Sequence, residues 1–239
     1  MVKLHRVGDR LTEVRGSGEP LVRVLGLSAG ATPPGQHSSA RLLLDLALQA
    51  AEASGAEIRR VDLTALRFEG CPSNERQCRW PCLLTEGEGD ELGPVYDRLV
   101  DWADVVVISS VVDDGALAEP LDRFMKRLGC IRHALEVDQV QLIRNKVASF
   151  LLCGPWKVAS GPAAELVAFF ASLGFALPPF PIAGPPPDSC FASSAERSDR
   201  LLHVLPESAD GATALVVRAI DLASKLRAPG PSQADARLA

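Results

Sequence analysis

Two stretches of the 239-residue sequence combine residue types and spacings that do chemistry. The first, Ser28-Ala-Gly-Ala-Thr-Pro-Pro-Gly-Gln-His-Ser-Ser39, runs from an apolar segment into a helical pattern. A helix start presents free backbone N–H groups and the positive end of the helix dipole, so it attracts an anion. Ser28, Thr32, Ser38 and Ser39 add hydroxyl donors, His37 stands beside them, and Gly30 lets the backbone approach a ligand closely. The pattern reads as a phosphate cradle, and the plain alternative is a strand–helix turn with Ser38 or Ser39 as N-cap. It is neither a P-loop, lacking Gly-Lys-Ser/Thr, nor a Gly-x-Gly-x-x-Gly fingerprint. Gly26-Leu-Ser28-Ala-Gly30 matches a hydrolase nucleophile elbow in its letters, yet Pro33-Pro34-Gly35 delays the helix that an elbow needs at once.

The second stretch is Cys71-Pro-Ser-Asn-Glu-Arg-Gln-Cys78-Arg-Trp-Pro-Cys82. Its first spacing, six intervening residues, fits a structural zinc site poorly, because paired zinc ligands sit closer together. A cubane iron–sulfur cluster needs a fourth thiolate, and no neighbouring cysteine in the sequence supplies it. Cys71, Cys78 and Cys82 therefore read in three ways: free or structural thiols, a redox pair, or a metal site. Trp80 between them is expected to pack or to line a site mouth. Asp113 and Asp114 follow an apolar run and precede Gly115, as paired carboxylates for cation or proton chemistry or as turn formers. The four histidines share no spacing, and only His37 stands beside a candidate ligand.

Hydrophobic periodicity supplies the elements that must position these groups. Residues 21–27 form a short apolar run, the mark of a strand buried on both faces. Leu42, Leu43, Leu46 and Ala50 recur at helical spacing between 38 and 54. A more polar strand, 57–63, suits an edge. Residues 64–90 form a long connection of the kind that is usually functional or disordered. A helix is expected over 91–102, a buried strand over 104–110, and a loop over 111–115 leading to a helix that ends near 129. Another buried strand spans 147–153, followed by a loop over 154–160 and a helix over 161–173. A last strand over 175–182 is pushed to an edge by its prolines. No element is assigned from 185 until a helix over 212–226. This alternation predicts a doubly wound parallel sheet, whose ligands lie outside the carboxyl ends of the strands. Residues 1–20 read as an arm or edge hairpin, 21–228 as one domain, and 229–239 as a disordered tail.

Composition narrows the class. A formal net charge of −5 argues against a nucleic-acid partner, whose footprint is basic. No run of about 18 apolar residues is long enough to span a bilayer. The mixed-charge N-terminus lacks the apolar core of a signal peptide, so the cytoplasm is the expected location.

The first loop also resembles the start of NAD(P)H-dependent FMN reductases, in which a strand ends in Gly-Ser-x-Arg and an Asn/Ser-Thr/Ser pair opens the helix. On that pattern Gly30 takes the Ser position, Thr32 the Arg position, and Ser38-Ser39 the helix-opening pair. The resemblance continues through Gly55-Ala-Glu-Ile-Arg-Arg-Val-Asp-Leu63, Tyr96-Asp-Arg-Leu-Val-Asp-Trp-Ala-Asp-Val-Val-Val-Ile-Ser-Ser110 and Leu121-Asp-Arg-Phe-Met-Lys-Arg-Leu128, and covers roughly residues 22–175. It implies a flavodoxin-like, five-stranded, three-layer α/β/α fold. It also implies an FMN-dependent oxidoreductase passing electrons from NAD(P)H to a small acceptor such as a quinone. FMN would be held by Ser28, Gly30, Thr32, His37, Ser38 and Ser39 at the phosphate. Val111, Val112, Asp113, Asp114, Gly154, Pro155 and Trp156 would lie at the ring, often at a homo-oligomer contact.

Several positions depart from the family pattern. Thr32 stands for the phosphate-neutralising arginine, Val111-Val-Asp113 for Pro-x-Tyr/Phe, and Gly154-Pro-Trp156 for a Gly-Gly turn. The family's Lys and Asp of the following helix are exchanged as Asp122 and Lys126. Asp113 and Asp114 would set negative charge beside a reduced flavin. These departures motivate an alternative expectation: a flavin-free relative that binds partners, or metal through Cys71, Cys78 and Cys82. The cysteine loop itself resembles that of iron–sulfur flavoproteins.

Overall fold

The computed structural model describes residues 6–7, 10–11, 21–30, 39–72, 78–154, 156–184 and 194–227. β1 (Arg6–Val7) and β2 (Arg10–Leu11) pair antiparallel as a separate two-stranded sheet. The main sheet contains β3 (Arg23–Ala29), β4 (Glu57–Asp62), β5 (Val105–Asp113), β6 (Ala116–Leu117), β7 (Val147–Cys153) and β8 (Ile182–Ala183). Five of these run parallel in the order β4-β3-β5-β7-β8, and β6 folds back antiparallel on β5. The helices are α1 (Ser39–Ala53), α2 (Gly93–Asp97), α3 (Glu119–Arg127), α4 (Gly129–Glu136), α5 (Trp156–Ser172) and α6 (Ser194–Arg227).

Successive strand residues point to opposite faces, and both faces are covered, which is why β5 and β7 read as unbroken apolar runs. Val24, Val105, Val107, Val147 and Leu151 pack under α1 and α6. Leu25, Leu27, Val106, Ile108 and Phe150 pack under α2, α3 and α5. The polar strand β4 lies at the edge, as its sequence predicts. This is the flavodoxin-like doubly wound sheet in three layers.

Several boundaries differ from the periodicity. Residues 111–113, expected as loop, continue β5 because Asp114 and Gly115 make a two-residue hairpin with positive φ at both positions, 46° and 77°. Paired positive φ is the type I′ pattern that Asp-Gly favours. The expected 91–102 helix is α2 followed by a π turn over Arg98–Trp102. The helix expected at 161 begins at Trp156 and carries Pro162 inside it, so Gly161-Pro162 is not the helix start it resembles. The last strand shrinks to a bridge at Ala176 and the two residues of β8, since Pro178, Pro179 and Pro181 cannot donate to a ladder. The chain beyond Gly129 forms a separate helix, α4, and α6 begins at Ser194, well before the predicted 212. The predicted tail, 229–239, lies outside the described residues.

Asp104 ties the bottom of the sheet together. Its Oδ2 accepts from the Arg23 backbone N–H at 2.8 Å and from Arg23 Nε at 3.4 Å, and lies 3.4 Å from Arg227 Nη2 of α6. Burial pushes the neighbouring Lys146 ammonium down, and its Nζ donates to the Ala103 carbonyl. Asp104→Ala is expected to lower the unfolding free energy by about 2 kcal/mol, because a buried N–H and two guanidinium groups lose their shared acceptor. Urea unfolding followed by circular dichroism measures this. A loss below about 0.5 kcal/mol, the size of an ordinary surface change, would contradict the assignment.

Candidate functional site

The chain leaves β3 toward β4 on one side and returns through β5 on the other, so the topological switch point lies at the carboxyl ends of β3 and β5. The register pairs Ser28 with Ser109 and Ala29 with Ser110 there. Both serines at that level are buried, on the face covered by α1. Ser109 Oγ donates to the Ala40 carbonyl at 2.6 Å, whereas Ser28 Oγ has no partner among the described residues. Ser39 opens α1, and the first turn of that helix carries no acidic residue. Gly30 follows the end of β3. Thr32, His37 and Ser38 lie outside the described residues. The hydrolase elbow does not form: Ser28 sits within β3, and among the described non-glycine residues only Asp114, Gln139, Asn145 and Phe180 have positive φ.

Beside this end, Val111 pairs in register with Cys153, which places the β5–β6 hairpin next to Gly154. Val112 is buried, while Asp113 and Asp114 are exposed near the hairpin tip. A Cβ at Gly154 would lie 2.7 Å from the Val112 carbonyl oxygen, so the two backbones approach as only glycine allows. Trp156 opens α5, and Pro155 lies outside the described residues. The exchanged Asp122 and Lys126 do pair, Nζ to Oδ2 at 2.7 Å, on an exposed helix face where such a pair stabilises by about 0.3–0.5 kcal/mol.

The cysteine loop sits elsewhere, against α3 and α4. Among the described residues no three His, Cys, Asp or Glu side chains come together to hold a metal ion, so the geometry lends no support to a metal site at Cys71, Cys78 and Cys82. All three are free thiols. Cys71 and Cys78 are half-buried, and burial, with Cys71 and Cys82 nearby, pushes the Cys78 thiol up. Cys82 points inward and joins a cluster that sequence spacing does not reveal. Arg127, fully buried at the end of α3, donates from Nη1 to Asp90 Oδ2 at 2.6 Å and to the Glu69 carbonyl at 2.9 Å. Its Nη2 lies 3.7 Å from Cys82 Sγ. Cys130 donates to the Arg127 carbonyl at 3.3 Å, and the Tyr96 hydroxyl donates to the same carbonyl at 2.8 Å. The neighbouring Cys130 thiol, joined by the Leu84 N–H and the Arg127 guanidinium, holds the Cys82 thiol well below its ordinary range. Trp80 packs edge-on against Tyr96 at 5.5 Å between ring centroids. The only trace of this cluster in the sequence is a cysteine and an arginine on the inner face of the 119–136 helical stretch.

The family of NADPH-dependent FMN reductases matches residues 22–182. The chain belongs to that family, a group of flavin-dependent oxidoreductases. Among solved structures it is similar to RosB with bound 8-demethyl-8-formylriboflavin-5′-phosphate, at 20% identity over 91% of this chain and 86% of that one, with a TM-score of 0.67. It is also similar to the apo form of the NADH:FMN oxidoreductase EMOB, at 15% identity over 87% and 92% of the two chains, TM-score 0.54. An azoreductase from Bacillus anthracis str. Sterne aligns at 15% identity over 86% and 100%, TM-score 0.52. At these identities the likeness establishes the flavodoxin-like fold. No curated protein matches the chain. Among the described residues no helix is long and apolar enough to cross a membrane.

Proposed function

We propose that this chain is an FMN-dependent oxidoreductase that takes electrons from NAD(P)H and delivers them to a small acceptor such as a quinone. The observation that carries the reading is the buried Ser28 hydroxyl at the switch point, without a partner among the described residues, beneath a helix start free of acidic side chains. A buried hydroxyl without a partner is costly, and a phosphate oxygen would satisfy it. Family membership supports the same ligand, as does the riboflavin 5′-phosphate derivative held by RosB. The donor set therefore fits the phosphate of FMN. Ser28, Gly30, Thr32, His37, Ser38 and Ser39 would hold it, and Val111, Val112, Asp113, Asp114, Gly154, Pro155 and Trp156 would border the ring.

FMN, when bound, supplies the chemistry of accepting a hydride from the nicotinamide and passing electrons onward. The chain supplies position and field. Val112 and Gly154 bring two backbones into close approach beside the place proposed for the ring. Asp113 and Asp114 set negative charge at its edge, which disfavours an accumulating anion and favours prompt delivery of electrons. Homo-oligomerisation belongs to the same reading, and sedimentation showing only monomer would count against it. The free cysteines suit a reducing compartment such as the cytoplasm.

An absorbance spectrum of the purified chain, followed by titration with FMN and with riboflavin, tests the proposal. Flavin bands or saturable binding with preference for FMN are expected, and a colourless chain that ignores FMN overturns it, leaving the flavin-free alternative. Ser28→Ala is expected to weaken FMN about tenfold, the size of one hydrogen bond to a charged group, and to leave riboflavin binding unchanged. Its unfolding free energy should not fall, because the substitution removes an unsatisfied buried hydroxyl.

A further inference from the structure

The loop over residues 66–92 buries its last cysteine against a helix 48 positions further on (82 to 130), and the resulting contact is unrelated to the proposed flavin site. We propose that Cys82 and Cys130 form a redox-active dithiol, in which hydrogen peroxide oxidises the Cys82 sulfur and Cys130 resolves it to a disulfide. Four observations meet at this point. Both sulfurs border Arg127 within one buried cluster, Cys82 at its guanidinium and Cys130 at its carbonyl. The Arg127 guanidinium lies 3.7 Å from Cys82 Sγ and is itself held by Asp90 and the Glu69 carbonyl. Cys130 is anchored on the Arg127 carbonyl, beside the Tyr96 hydroxyl. A cleft of about 400 Å³ whose lining includes Glu69, Leu84, Asp90 and Arg127 lies beside this cluster, with the two cysteines behind that lining.

Each group has a role in the step. A thiolate is the nucleophile in thiol oxidation, and a positive neighbour with hydrogen-bond donors favours that form. Cys82 has both, and Cys130, whose thiol is pushed up by the neighbouring Cys82 and by burial, stays protonated. Size selects the oxidant. Cys82 is 8% exposed and Cys130 2%, so a small uncharged hydroperoxide reaches the sulfur where a bulky disulfide does not. In the first step the Cys82 thiolate attacks one peroxide oxygen. An S–O bond forms, the O–O bond breaks, and the departing hydroxide takes a solvent proton to become water. In the second, the Cys130 sulfur attacks the sulfenic sulfur. The S–S bond forms, the S–O bond breaks, and the hydroxyl leaves with the Cys130 proton as a second water. The two sulfurs lose two electrons in all and the peroxide gains them. Cys71 and Cys78, both half-buried, are not required for either step.

The test uses the full chain, reduced and desalted, then exposed to peroxide, alkylated, and mapped by mass spectrometry without reduction. The expected result is a single new link joining the peptides that contain Cys82 and Cys130, lost on reduction. In Cys130→Ser the link is expected to vanish and a sulfenic acid to be trapped by dimedone on Cys82. The Cys71→Ser/Cys78→Ser double variant is expected to close the Cys82–Cys130 link as the parent does. A link from Cys78 to either loop cysteine with Cys130 still alkylated overturns the proposal. So does purified protein holding stoichiometric zinc or iron that protects these thiols. The mapping of the parent chain stands on its own if a variant fails to fold.

Discussion

Arg127→Ala is expected to lower the unfolding free energy by about 3–5 kcal/mol, the cost of leaving one partner of a buried ion pair without the other. The side chain of Arg127 is fully excluded from solvent and that of Asp90 nearly so. Removing the guanidinium strands the Asp90 carboxylate, frees the Glu69 carbonyl, takes a donor from Cys82, and leaves a cavity between α3 and the 66–92 loop. Chemical denaturation measures the loss. A double cycle with Asp90→Asn is expected to show that the two substitutions together cost less than their sum, since the second removes the charge stranded by the first. A loss below about 1 kcal/mol would mean that the pair is solvated in solution. The pH dependence carries its own signature. A thiol whose folded-state pKa is depressed adds stability above its unfolded value, and that contribution is lost as pH falls through the folded value. The parent chain should therefore gain stability from Cys82 as pH rises toward the ordinary thiol range, and the gain should shrink in Arg127→Ala.

Gly154→Val carries the other large effect, and it falls on function. The added Cβ would sit 2.7 Å from the Val112 carbonyl oxygen, a backbone atom held between the end of the β5–β7 ladder at Val111 and the β5–β6 pairing at Val112. Neither strand can yield without breaking that ladder, so the segment after β7 must move by about 1 Å, a displacement that costs on the order of 100-fold in rate when it shifts a reacting group. FMN-supported NADPH oxidation by this variant is expected to fall by that factor, and its stability by about 1–3 kcal/mol for overpacking. Gly115→Ala is the control. Its Cβ would meet nothing closer than 3.8 Å, but φ is +77°, so only a backbone penalty of about 1 kcal/mol applies. Equal losses of turnover in the two variants would contradict the close approach as the cause.

Much of the outline was legible because burial on both faces leaves an unmistakable run of apolar residues. Val105–Ser110 and Val147–Cys153 are strands in the sequence and in the fold, and polar β4 is at the edge that its composition requires. Among the described residues, Ser28, Gly30, the 111–114 stretch and Gly154 lie at the carboxyl end of the sheet, since parallel connections bring the strand–helix loops to the same side. Boundaries failed where local chemistry outweighed period. Asp114-Gly115 extended β5 by a hairpin, and prolines reduced the final strand to two residues.

What the sequence by itself determined is the alternation of strands and helices, the side of the sheet where loops gather, and the donor-rich character of the first of them. These follow from nearest-neighbour physics: hydrophobic period, turn residues and helix-end polarity act over a few positions along the chain. Only tertiary structure decided that Ser28 is buried without a partner among the described residues, that Gly154 lies against Val112, and that Cys82 and Cys130 both border Arg127. Those contacts join residues tens of positions apart, and packing the long loop onto α3 and α4 selects them. Spacing within the loop carries no record of the partner on the helix.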